Sequence, residues 1–261
     1  GAEWTAVPLG AGDDGWRLDV PALRDAVRFD TAMIIINTPH NPTGTIFTRG
    51  ELEAIADVTR ASGAFVLADE VYERLLYDGH PHLSIADMEG MRDRCIIVSS
   101  AAKTFNVTGW KTGWVLGCPE VVSAVTTAKQ FLSYVGVTHV QPAVARGLGE
   151  CGEWVDAMAA ELESNRDLLV SGLRELGLEV HGADGGYFVV ADVSPLGLGN
   201  AMETCRALPE KVGVAAIPVP AFVGDVDDER WRNLARFGFC KRESVIREAL
   251  DKLRAHMDRQ K

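Results

Sequence analysis

Ser99-Ser100-Ala101-Ala102-Lys103-Thr104-Phe105-Asn106-Val107-Thr108-Gly109-Trp110-Lys111-Thr112-Gly113-Trp114 is the stretch from which the rest of the chain is read. Directly before it stands Cys95-Ile96-Ile97-Val98, apolar and mostly β-branched, the composition of a buried strand. Such a strand delivers Ser100 and Lys103 into a loop at its carboxyl end, where open α/β sheets bind ligands. A lysine placed there among small residues loses hydration, and desolvation lowers an ammonium pKa. Partly neutral, it is a nucleophile for carbonyl compounds. Taken alone, Lys103 reads more simply as a solvated surface lysine. Its company elsewhere in the chain decides the matter.

Two more apolar runs have the same form. Met33-Ile34-Ile35-Ile36 reads as a buried strand ending in Asn37-Thr38-Pro39-His40-Asn41-Pro42-Thr43-Gly44, which its prolines and glycine make a rigid turn. Ala64-Phe65-Val66-Leu67-Ala68 reads as a third, with Asp69 and Glu70 at its end. The segment joining them carries helix signals: Thr48 and Glu51 form a capping box, Leu52, Ile55, Ala56 and Val58 share a face, and Gly63 stops it. Strand, helix, strand is a βαβ unit, for which a right-handed crossover is expected.

Upstream, Trp4 to Leu9 is expected as a strand and Pro21 to Val27 as a short helix. Downstream, a short strand spans Trp114 to Gly117, helices begin at Pro119 and near Gln141, and a long amphipathic pattern runs from Glu153 to Leu176, closed by Gly177. Shorter pieces follow: Leu178 to Val180, Tyr187 to Val190, a helix over Ala201 to Val212, Val214 to Ile217, Asn233 to Phe239 and a last helix from Glu243 to about Met257. The expected fold is α/β, a mostly parallel sheet flanked by helices with a smaller C-terminal α+β domain. The boundary is expected inside the long helix, giving domains 1–161 and 162–261.

Composition narrows the class. Of 261 residues, 47% are hydrophobic and 24% charged, as in globular domains, and the net charge of −11 disfavours nucleic acid or an anionic membrane as the main partner. The cysteines, Cys95, Cys118, Cys151, Cys205 and Cys240, are scattered without a C-x-x-C pair, which argues against a disulfide framework or a zinc site and suits a reducing cytoplasm. Neither a membrane-spanning run nor a signal peptide is evident.

If the three strands are parallel neighbours, Asn41, Asp69 and Ser100 with Lys103 converge on one rim. Each has a plainer alternative: Asn41 as a turn former, Asp69 as a cap, Tyr72 as a packing residue with its hydroxyl at the surface. Together they meet the needs of a pyridoxal phosphate site: an acid for the pyridine nitrogen, donors to the ring phenolate oxygen, and a lysine for the aldehyde carbon.

Asn41-Pro42-Thr43-Gly44, Asp69-Glu70-Val71-Tyr72, Ser100-x-x-Lys103-x-Phe105 and Gly109-Trp110-Lys111-x-Gly113-Trp114 resemble, in order and separation, the signature blocks of the class I/II aminotransferases, fold-type I pyridoxal phosphate enzymes. Within that family the sequence comes nearest to kynurenine/glutamine and N-succinyldiaminopimelate aminotransferases. Gly213 to Pro218 and the run Arg236-Phe237-Gly238-Phe239-Cys240-Lys241 point the same way.

The resemblance implies roles position by position. Lys103 bonds covalently to the cofactor aldehyde and, once displaced by substrate, moves the proton from the substrate Cα. Asp69 pairs with the pyridine nitrogen. Asn41 and Tyr72 hydrogen-bond the phenolate oxygen. Ser100 and Lys111 bind the phosphate, and Arg236 clamps the substrate α-carboxylate. By itself Arg236 reads as a surface ion-pair former. At Lys111 many family members carry arginine, and a lysine still serves there as a point charge.

The resemblance also implies a homodimer, with amino acid and 2-oxo acid substrates such as 2-oxoglutarate. It begins roughly a third of the way into the family's usual length, so the sequence is expected to lack an upstream part that contributes to the small domain and the phosphate cradle. Rival readings keep the motifs and change the outcome: β-elimination from cysteine conjugates, the sensory domain of a transcription regulator, or a fragment that binds no cofactor. Trp4, Trp16, Phe131 and Tyr134 are candidate pocket aromatics, with packing as the simpler role for each.

Overall fold

The computed structural model describes residues 1–12 and 15–260. Its contacts divide the chain into two compact units: Gly1–Gly12, Arg17–His40 and Ile46–Ala159 form the first, and Asp13–Trp16, Asn41–Thr45 and Ala160–Lys261 the second. The turn Asn41–Thr45 is thus grouped with the C-terminal residues.

The expected strand from Trp4 to Leu9 is absent. Pro8 has no N–H to donate to a ladder, and pairing starts only after it, with β1 (Leu9–Gly12) and β2 (Gly15–Leu18), followed by α1 (Val20–Ala26). The βαβ unit is present as β3 (Met33–Asn37), α2 (Arg49–Ser62) and β4 (Phe65–Asp69), with β3 and β4 parallel. The capping box forms in both directions between Thr48 and Glu51, and Gly63 ends the helix in the left-handed region at φ 78°. β5 (Cys95–Ser100) adds in parallel beside β4, α3 (Ala101–Thr104) follows it directly, and β6 (Gly113–Leu116) returns antiparallel beside β5. The sheet order is therefore β3-β4-β5-β6.

One face of this sheet holds the core. Ile34, Ile36, Val66, Ala68, Cys95 and Ile97 pack with Leu23 of α1 and Leu52 and Ile55 of α2. The expectation that Met33 to Ile36 is wholly buried fails: Met33 and Ile35 are 41% and 72% exposed. Alternate strand residues point to opposite faces, and the packed layer takes only one set. The helices α4 (Pro119–Leu132) and α5 (Gln141–Glu150) complete this unit, and α6 (Gly152–Glu175) crosses from it into the second.

The second unit is α+β. Its sheet, ordered β7-β8-β10-β9, is antiparallel throughout: β7 (Val180–His181), β8 (Phe188–Asp192), β10 (Leu234–Gly238) and β9 (Ile217–Pro218). Val189, Val190 and Ala191 are fully buried, as are Leu208 of α7 (Ala201–Lys211) and Leu173 of α6. The last helix, α8 (Glu243–Asp258), buries Ile246, Leu250 and Leu253 along one stripe. Among the described residues, no helix is long and apolar enough to cross a membrane.

Candidate functional site

The first unit presents its chemistry on one rim. Since Asn37 aligns with Asp69 and Asp69 with Val98, the three parallel strands end together. Asp69 closes β4, and its Oδ1 accepts the Val71 N–H at 3.1 Å; the segment that follows is a turn, so this is a local turn bond and the helix-cap alternative is not realised. That turn sets Tyr72, which is buried. Ser100 ends β5 and N-caps α3, accepting the Ala102 N–H at 3.3 Å. Lys103, the third residue of α3, is half-buried and carries its Nζ to 5.9 Å from the centroid of the Tyr72 ring. Adjacent strand ends thus offer a carboxylate, a phenol, a hydroxyl and an amine.

Lys111 stands on the return towards β6. It is exposed and adopts φ 53°, an uncommon backbone for a side chain with a Cβ. Both ends of the return are tied: the Ala101 N–H donates to the Thr112 carbonyl at 3.0 Å, and Gly113 lies opposite Ser100. A Cβ on Gly113 would come within 2.7 Å of the Ser99 carbonyl oxygen, so the glycine of the Gly109-x-x-x-Gly113 block is demanded by close packing on β5.

Behind the rim lies a network that the sequence reading missed. Glu70 follows Asp69 directly, just past the end of β4. Glu70 is 2% exposed; its Oε2 lies 2.8 Å from His82 Nε2, and its Oε1 accepts the Ser84 hydroxyl at 2.7 Å. Glu73 accepts the Ser99 hydroxyl at 2.8 Å, which bonds the turn carrying Tyr72 to the residue before Ser100. Ligand-capable atoms of Glu70, Glu73 and His82 come within 4.8 Å of one another. An acidic residue directly after the acid that ends a buried strand was the available signal.

In the second unit Arg236, on β10, donates through Nη1 to Asn41 Oδ1 at 2.5 Å. The turn is seated by Gly44, whose carbonyl accepts the N–H groups of Asp184 and Gly185 at 3.0 and 2.9 Å. Gly44 has φ 74°, and a Cβ there would lie 2.7 Å from the Ala183 Cβ. The final glycine of Asn41-Pro42-Thr43-Gly44 is thus required twice, by backbone and by space. Burial lowers the pKa of the preceding His40 to about 4, which keeps its ring neutral near pH 7. Of the candidate aromatics, Trp16 is buried with its ring 5.0 Å from His181 and 5.3 Å from Trp231, while Trp4, Phe131 and Tyr134 are exposed.

Comparison with known proteins places the chain in a family. The profile of the family "Aminotransferase class I and II" matches residues 1–253. A probable N-succinyldiaminopimelate aminotransferase, DapC, of Mycobacterium tuberculosis is 48% identical over 97% of this chain and 65% of its own length. Kynurenine--oxoglutarate transaminase 3 of Mus musculus is 36% identical over 98% of this chain and 58% of its own. The solved N-succinyldiaminopimelate aminotransferase from Mycobacterium tuberculosis matches with a TM-score of 0.91, 48% identity, and coverage of 95% of this chain and 64% of that one. The chain spans about three fifths of the length of these relatives.

Proposed function

The chain belongs to the class I and II aminotransferases, a family of pyridoxal phosphate enzymes, and from that premise we propose that this protein transfers an amino group from an amino acid to a 2-oxo acid such as 2-oxoglutarate. The observation that carries the reading is the amine of Lys103 held 5.9 Å from the centroid of the Tyr72 ring, at the ends of strands that also carry Asp69 and Ser100.

The donor set of the first unit fits pyridoxal phosphate by its chemistry. Asp69 would hold a proton on the pyridine nitrogen, Tyr72 would donate from its hydroxyl to the ring oxygen, and Ser100 and Lys111 would hold the phosphate. When bound, the cofactor supplies an electron sink for the bond broken at the substrate Cα. Lys103 would hold the cofactor through its Nζ, and that amine, when free, would move the proton at the substrate Cα.

For Asn41 and Arg236, hydrogen-bonded to each other within the second unit, substrate binding is the proposed role. A guanidinium only donates, so its bond to Asn41 Oδ1 makes that oxygen the acceptor and fixes the orientation of the amide. Arg236 then binds the α-carboxylate. The proposed domains are 1–161, which carries the cofactor-binding residues, and 162–261, the smaller C-terminal domain. The amino donor to test first is N-succinyldiaminopimelate, after the relative at 48% identity, with kynurenine second. The protein works in the cytoplasm as a homodimer. Support for self-association comes from Phe131, Leu132, Tyr134 and Val135, close together in sequence and exposed, two of them at the end of a helix with no buried residue.

The test is to mix the intact protein with pyridoxal phosphate and follow the absorbance band of the bound cofactor, then assay amino donors against 2-oxoglutarate. A band that Lys103→Ala abolishes, with glutamate formed from a donor, is expected. No band at any pH overturns the reading. Ammonia released without an oxo acid would replace transfer with elimination.

A further inference from the structure

Two phenylalanine rings stand against the guanidinium of Arg236. Its Cζ lies 3.9 Å from the centroid of Phe188 and 4.8 Å from that of Phe222. The first contact follows from the ladder. In the antiparallel pair of β8 and β10, Arg236 faces Val190 and Phe188 faces Gly238, so Phe188 and Arg236 are diagonal neighbours on one face. The second ring comes from another element. Phe222 ends the 3-10 turn Val219–Phe222, which leads out of β9, where Ile217 is the ladder partner of Arg236. Val219 and Pro220 anchor that turn by burial, yet Phe222 itself stays 44% exposed.

Phe222 thus spends part of its ring surface on the guanidinium and part on solvent. Its partner is a planar, weakly hydrated cation that stacks well on aromatic faces. We infer that Phe188 and Phe222 are positioning residues for Arg236. Their rings hold the plane of the guanidinium, while the bond to Asn41 fixes its rotation within that plane. A carboxylate of an amino or oxo acid then meets two coplanar N–H donors in a set orientation. The rings also shield the ion pair from water, which strengthens it. This rests on the reading of Arg236 as the carboxylate ligand, and the experiment separates the two.

The intact protein is assayed as Phe222→Ala, Phe222→Tyr, Phe188→Ala, Phe188→Tyr and Arg236→Lys. Positioning predicts that each alanine variant raises KM for both amino and oxo acid about 3- to 5-fold, with kcat changed less than about twofold. The tyrosine variants, which keep a π face, return KM to near the parent value. Arg236→Lys, which loses the planar fork, lowers kcat/KM about 100-fold or more. Unchanged KM in both alanine variants alongside a damaged Arg236→Lys overturns the positioning role and leaves the arginine assignment standing. A fall in kcat at constant KM in the alanine variants also overturns it. If Arg236→Lys is as active as the parent, the arginine is not the carboxylate ligand and the inference falls with it. Loss of thermal stability in the Phe222 variants, whose side chain is exposed, would reassign that ring to structure.

Discussion

Asn41 and Arg236 are 195 residues apart in sequence and share a 2.5 Å hydrogen bond, the amide oxygen accepting from Nη1. The bond orients the amide and steadies the cation at once. A hydrogen bond to a charged group contributes about 1.5–3 kcal/mol, and each 1.4 kcal/mol is tenfold in rate. Asn41→Ala should therefore lower kcat/KM by about 10- to 100-fold without loss of secondary structure. Steady-state kinetics with a far-ultraviolet spectrum checks this, and a change under threefold would contradict it.

Lys103→Arg keeps the positive charge and removes the nucleophilic amine. Activity should fall by more than about a thousandfold, since both the covalent anchor and the base at the substrate Cα are lost. Retention of activity within tenfold of the parent would mean that another amine serves.

Gly44→Ala combines a left-handed backbone at φ 74° with a Cβ 2.7 Å from that of Ala183. Strain and overpacking together should cost about 2–4 kcal/mol in denaturant unfolding. Gly50→Ala is the control: it lies in the first turn of α2 with nothing within 4 Å of its Cβ, and should be neutral or stabilise by a few tenths of a kcal/mol.

The capping box at α2 separates two costs. Thr48→Ala removes one acceptor of a half-exposed helix end and should cost about 1 kcal/mol. Glu51 accepts the N–H groups of both Thr48 and Leu18 at 2.7 Å and is largely buried, so Glu51→Ala should cost about 2–3 kcal/mol. Equal losses in thermal or denaturant unfolding would show that the Leu18 bond contributes nothing.

His40 carries a pH dependence. Its folded pKa of about 4 lies below the ordinary 6.5, so between those values the unfolded chain binds more protons. Stability from this site is complete above about pH 6.5, declines as pH falls towards 4, and levels off below. One proton gives a slope of at most about 1.4 kcal/mol per pH unit, or roughly 3 kcal/mol in all. His40→Gln should flatten the profile across that window, and an unchanged slope would place its origin elsewhere.

Local signals were legible because their causes are local. The Thr48–Glu51 box, the left-handed Gly63 and the apolar runs of β4 and β5 each depend on residues a few positions apart, and they survive unchanged in the fold. The placement of Asp69, Ser100 and Lys103 could be read for the same reason: each stands at or just past the end of its own strand. Face and partner were not legible. The one-sided burial of β3, the burial of Glu70 beside His82 and Ser84, and the pairing of Arg236 with Asn41 and two phenylalanine rings depend on strand order, register and layer packing. Those join residues far apart in the chain, and no short-range pattern encodes which of many apolar or polar partners will meet. The candidate residues were written in the order of the chain, whereas their partners were decided within each unit by register and layer packing.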